Sequence, residues 1–124
     1  MLINKFRTMV QSKLDSISGM TAGRPISDDV IEEGKYYFGY TVTTSTLANN
    51  LDYSNNVMTI NITGHLSTKN GKLEKFDKFT DNIVDKLSEL RIRATTSDVS
   101  TLDGIRKVMI TGNVNLNTLD GQLR

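Results

Sequence analysis

Cysteine is absent from these 124 residues, and proline occurs once. Without cysteine there are no disulfides, no thiolate metal sites and no cysteine nucleophile. Histidine is nearly absent as well: His65 stands alone. A Ser-His-Asp arrangement would have to use that ring as its base, and no serine occurs in a nucleophile-elbow context. No Gly-Lys-Ser/Thr phosphate loop is present. Long apolar runs are missing. The longest are three residues, against the roughly 20 that a membrane-spanning helix needs. Charge of one sign is not in excess either. Fifteen Lys and Arg stand against 14 Asp and Glu, a net +1, which argues against a dedicated nucleic-acid binder or an anionic-membrane binder. The first 14 residues carry Lys5, Arg7 and Lys13 in an amphipathic pattern without the continuous apolar stretch of a secretory signal. The expectation is a protein that is not an enzyme and needs no cofactor or metal.

The length fits one domain, which buries on the order of two-thirds of the surface of its unfolded chain. The spacing of Leu2, Phe6, Met9, Val10, Leu14 and Ile17 predicts a helix over residues 2–17, stopped by Ser18-Gly19. Residues 18–34 read as a loop that holds Pro25 and then Asp28, Asp29, Glu32 and Glu33. A short helical turn capped by Ser27 fits its second half. Alternation of Tyr36, Phe38, Tyr40 and Val42 with smaller or polar residues predicts a strand over 35–46. Met58, Ile60, Ile62 and Leu66 predict a second strand over 57–66, and the two pair as an antiparallel hairpin around a polar turn at Asn49–Asn56. Asn70-Gly71 breaks the chain, and Leu73, Phe76, Phe79, Ile83, Val84, Leu87 and Leu90 predict a helix over 72–90. Strands follow over 91–96 and 105–112, joined by a turn through Asp98 and Asp103-Gly104. The order α-β-β-α-β-β implies an α+β fold: a two-layer sandwich, with a mainly antiparallel sheet of about four strands and two helices on one face. Residues 1–112 form the domain, and the polar tail 113–124 is expected to be loose or to become ordered only in contact with a partner.

The helices cover one face of that sheet and leave the other to be explained. From Tyr36 to Thr68 the chain runs 33 residues with one formal charge, Asp52. Soluble surfaces carry roughly a quarter or more of their residues as charges, and exposed sheets use charge to prevent unwanted pairing. The uncovered side would show Thr41, Thr43, Thr59, Asn61 and Thr63. Two readings stay open. One is a solvated face, since threonine suits sheet surfaces. The other is a face that meets neighbouring subunits, because depletion of charge marks interface centres.

The remaining candidates for chemistry have plain structural readings beside the functional ones. The acids Asp28, Asp29, Glu32 and Glu33 could hold a hard cation, but their spacing matches no known loop and a solvated turn is favoured. Tyr36, Tyr37 and Tyr40 with Phe38 could stack bases, but only Lys35 is basic nearby, so core packing is favoured. Arg91, Arg93, Arg106 and Lys107 could form a basic patch or balance the helix acids Asp81, Asp85 and Glu89, and the second is favoured.

Three stretches carry a resemblance. Asn56 to Gly64 is a polar-apolar strand that ends in Thr-Gly. The helix from Phe79 to Leu90 runs directly into Arg91-Ile92-Arg93. Asp98 to Gly112 reads as turn, strand and Thr-Gly again. With the first helix, the arrangement resembles the small tail-terminator or tail-completion proteins of long-tailed bacteriophages, over most of the chain. Its motifs describe architecture and include no signature residue. The resemblance implies a virion structural subunit made in the host cytoplasm and placed in the tail or neck. It would form a homo-oligomeric ring, usually a hexamer, that caps the tail tube protein and joins the head-tail connector. DNA would pass through without sequence-specific binding, with Arg91, Arg93, Arg106 and Lys107 as candidates for the passage surface. The hairpin and the tail 113–124 are the candidate subunit contacts. The alternatives are another phage neck or baseplate adaptor and a small non-viral binding module.

Overall fold

The computed structural model describes residues 2–47, 57–101 and 104–115. The first helix, α1, runs Leu2–Asp15. Its Phe6, Val10 and Leu14 recur every fourth residue and are fully buried, the stripe that a core-facing helix requires. The second helix, α2, spans Leu73–Glu89 and buries Phe76, Ile83 and Leu87. Glu74 in its first turn and Lys86 in its last complement the helix dipole. It ends in a Schellman turn: the Ile92 amide donates to the Leu87 carbonyl at 3.0 Å and the Arg91 amide to the Ser88 carbonyl at 2.9 Å. Arg91 takes the left-handed position, φ 60°, where glycine is usual.

The strands are β1 (Thr21–Gly23), β2 (Tyr36–Leu47), β3 (Val57–Lys69), β4 (Arg93–Val99) and β5 (Ile105–Asn115). They form one sheet in the order β1-β2-β3-β5-β4. The expected hairpin is present as an unbroken antiparallel ladder from Tyr36↔Thr68 to Leu47↔Val57. Strands β3 and β5 pair from Lys69↔Ile105 to Thr59↔Asn115, and β5 pairs with β4 from Val99↔Lys107 to Arg93↔Asn113, both antiparallel. Even-numbered residues of these strands point toward the helices. Phe38, Ile60, Ile62, Leu66, Val108 and Ile110 join Phe6, Leu14, Ile83 and Leu87 in one core. Burying a side chain of this size stabilises the fold by roughly 1.5–3 kcal/mol.

The fold is α+β with two helices, as expected, but the sheet has five strands and is mixed. The extra strand, β1, lies inside the stretch expected to be loop and pairs parallel with Tyr37–Gly39. Three small residues are too few to show a period, and β1 forms because it is held from both sides. Gln11 Nε2 donates to the Ala22 carbonyl at 3.3 Å, and Gln11 Oε1 accepts the Tyr40 hydroxyl at 2.6 Å. The turn expected through Glu33 is a single 3-10 turn, Asp28–Val30. The last strand continues to Asn115, beyond the expected boundary at 112, because Val114 still reaches the core at 3% exposure. The turn around Asn49–Asn56, Asp103 and residues 116–124 lie outside the described residues.

Candidate interaction face

Odd-numbered residues of β2, β3, β5 and β4 point away from the helices. One half of this face is covered. After β1 the chain crosses it as a strap over residues 24–33, so the simple two-layer arrangement holds only in part. The crossing depends on Gly39. A Cβ there would lie 2.8 Å from Pro25 Cα and 2.9 Å from the Arg24 carbonyl oxygen, so only glycine lets the strap lie this close. Lys107 Nζ meets Asp28 Oδ1 at 2.7 Å, and the Gly34 amide donates to the Lys69 carbonyl at 2.8 Å. Ile31 is 5% exposed and stands apart from the main core, so it anchors the strap independently. Between strap and sheet lies a cavity of about 60 Å³ bordered by Pro25, Ile26, Tyr37, His65, Ser67 and Lys107. Burial lowers the pKa of His65, Lys107 lowers it further, and Asp28 opposes both.

The other half is bare of any covering segment among the described residues. The register sets Thr41 opposite Thr63, Thr43 opposite Asn61 and Ser45 opposite Thr59. These five predicted residues, Thr41, Thr43, Thr59, Asn61 and Thr63, therefore share one continuous patch. Thr111 and Asn113 on β5 and Thr95 on β4 extend it. All are exposed or half-buried. Side chains link across the strands: Asn61 Nδ2 donates to Ser45 Oγ at 3.0 Å, and the hydroxyls of Thr95 and Thr111 are 2.9 Å apart. The patch is a lattice of hydroxyls and amides, with Arg93 at its margin as its one charge.

The four basic candidates do not gather. Arg93 lies opposite Asn113 and Lys107 opposite Val99, so they are six residues apart along β5, roughly 20 Å. Arg106 is on the helix side, its guanidinium 6.0 Å from the Phe76 ring centre. Arg91 forms the helix-ending turn. Nor do they balance the acids of α2: Glu89 pairs with Lys13 at 2.9 Å and Lys86 at 4.0 Å. Asp81 and Asp85 have no ion pair among the described residues. In the acidic loop, Asp28 and Glu32 are each paired with a lysine. Among the described residues no three metal-ligand side chains come together. Tyr36 and Phe38 are core residues, and the Tyr36 ring meets Phe79 at 4.9 Å. Tyr37 alone faces the strap.

Sequence reasoning missed the strap. The single proline and Gly39 were its signals, but their contact joins residues that only the parallel pairing of β1 brings together. Among the described residues no helix is long and apolar enough to cross a membrane. No protein-family model matches the chain, and a search of curated proteins finds no match.

Proposed function

We propose that this chain is a structural subunit of a larger assembly, and that the bare half of the sheet face is one of its contact surfaces. The observation that carries this reading is the uncharged hydroxyl-amide lattice around Thr41, Thr43, Thr59, Asn61 and Thr63, set on strands rigidly backed by the core. Such a surface loses little on desolvation compared with a charged one. It can form many hydrogen bonds with a neighbouring backbone or polar face, and charge depletion is the mark of interface centres.

The resemblance to phage tail terminators supplies the particular assembly. In that reading the subunits close a ring, hexameric by resemblance, on the end of the tail tube in the virion neck. The ring halts tube growth, receives the head-tail connector and lets DNA through. The scattered positions of Arg91, Arg93, Arg106 and Lys107 give such a passage no basic lining from these residues as a group. A neck or baseplate adaptor would use the same face against different partners.

The test is negative-stain electron microscopy of the concentrated protein, with and without tail tubes. Rings, or caps on one tube end, are the expected result. Thr59→Lys with Asn61→Lys should abolish them. A monomer that ignores the tubes would overturn the terminator reading.

A further inference from the structure

A ring of identical subunits requires two different patches on each copy. Among the described residues the sheet offers two unpaired edges. Strand β1 covers only Tyr37–Gly39 of the outer side of β2. Arg24 and Pro25 then turn onto the open face, and among the described residues the edge from Tyr40 to Leu47 has no strand beside it. At the other end of the sheet, the outer side of β4 has no strand beside it from Arg93 to Val99 among the described residues. Proteins usually guard such edges with lysine, proline or bulges. The free stretch of β2 contains neither charge nor proline, and β4 has charges only at Arg93 and Asp98.

Each free edge runs beside a helix, and the two clefts differ in charge. The cleft between β2 and α1, about 590 Å³, is lined by Arg7, Arg24, Gln11, Tyr40 and Val42, among others, and by no acid among the described residues. There Arg7 Nη2 donates to the Val42 carbonyl, an edge acceptor, at 3.3 Å. The cleft between β4 and α2, about 660 Å³, is lined by Asp81, Asp85 and the Ala94–Thr96 stretch, among others, and by no base among the described residues. Arg24, Asp81 and Asp85 have no ion pair among the described residues. Both helices lie on the same face of the sheet, so joining the two edges sets the acidic cleft against the basic one.

We propose that β4 of one copy adds to the free edge of β2 of a second copy, with Asp81 and Asp85 of the one facing Arg7 and Arg24 of the other. This deepens the structural-subunit reading and rests on it. The strand directions agree. From β2 through β3 and β5 to β4 they alternate, so copies in the same orientation bring β4 antiparallel to β2. The lengths agree as well: seven residues in β4 meet the eight from Tyr40 to Leu47. Main-chain hydrogen bonds supply affinity in such strand addition, and the charges fix the partner and its orientation. The contact is heterologous, so it propagates from copy to copy and forms a ring where the rotation between copies closes.

Charge reversal tests it, read by sedimentation velocity and electron microscopy with circular dichroism as the check on folding. Arg7→Glu with Arg24→Glu, and separately Asp81→Lys with Asp85→Lys, should each weaken self-association at least about tenfold. Combining all four should restore it. Both pairs of residues are exposed. Should a reversal unfold the chain, Arg24→Gln and Asp85→Asn serve instead, each expected to weaken assembly about threefold. Wild-type assemblies indifferent to these changes, or a folded fourfold variant that stays monomeric, would overturn this interface and leave the subunit reading standing. A wild type that stays monomeric with and without tail tubes would overturn both.

Discussion

The two halves of the open sheet face are built on the same strands and differ in what lies over them. In the strapped half, Gly39, His65, Ser67 and Lys107 sit beneath the crossing chain, and Ser67 is buried to 6% exposure. In the bare half, Thr41, Thr43, Thr63 and Asn113 are exposed. A histidine, a paired lysine and a glycine mark the first. Hydroxyls and amides mark the second. The strapped half has its covering partner within the chain. The bare half has the same extended platform and no covering partner among the described residues.

If the strap is an integral part of the fold, weakening it should cost stability. The largest effect is expected at Ile31, which is buried outside the main core. Ile31→Ala removes most of that anchor and should destabilise the chain by about 2–4 kcal/mol, measured by urea unfolding. A loss below about 0.5 kcal/mol would mean that the strap rests on the sheet without contributing, and the contrast between the halves would disappear.

Acid should affect the strapped half selectively. Folding lowers the pKa of His65, chiefly by burial, so the folded state favours the neutral ring. Its full stability is present above the unfolded value of about 6.5. Part of it is lost as pH falls through that value toward the lower folded one. Protonation also sets a new charge near Lys107, while Asp28 partly offsets it. The expected outcome is a fall in melting temperature between neutral pH and about pH 5 that is smaller in His65→Gln. Equal falls in both proteins would remove His65 as the cause.

Much of the fold was legible because its signals are local. The period of Phe6, Val10 and Leu14, that of Phe76, Ile83 and Leu87, and the alternation through β3 each lie within one element. The face that each strand residue takes follows from those alternations, so Thr41, Thr43, Thr59, Asn61 and Thr63 could be assigned to one face from the sequence. The missed features are non-local. Strand β1 exists because Gln11 and β2 hold it. The strap depends on Gly39 meeting Pro25 across a parallel pairing. The separation of Arg93 from Lys107 depends on the β4–β5 register, which sequence leaves open. The opposite charges of the two edge clefts arise only once helix and strand are side by side.

The smallest expected effect on stability carries the contrast furthest. Thr59→Lys with Asn61→Lys places two charges on the bare half, where both residues are half-buried by their neighbours. Lysine stems can lie along a sheet and keep their ammonium groups in water. The Asn61–Ser45 hydrogen bond is at the surface, where water can replace it. Unfolding should therefore shift by no more than about 0.5 kcal/mol. Two ammonium groups buried at an interface, by contrast, would each lose hydration without a placed partner. A variant that folds as well as wild type and no longer assembles would separate the two demands on this sheet: the strapped half serves the fold, and the bare half serves the neighbour. Assembly that survives both lysines would return the bare half to the role of an ordinary solvated surface.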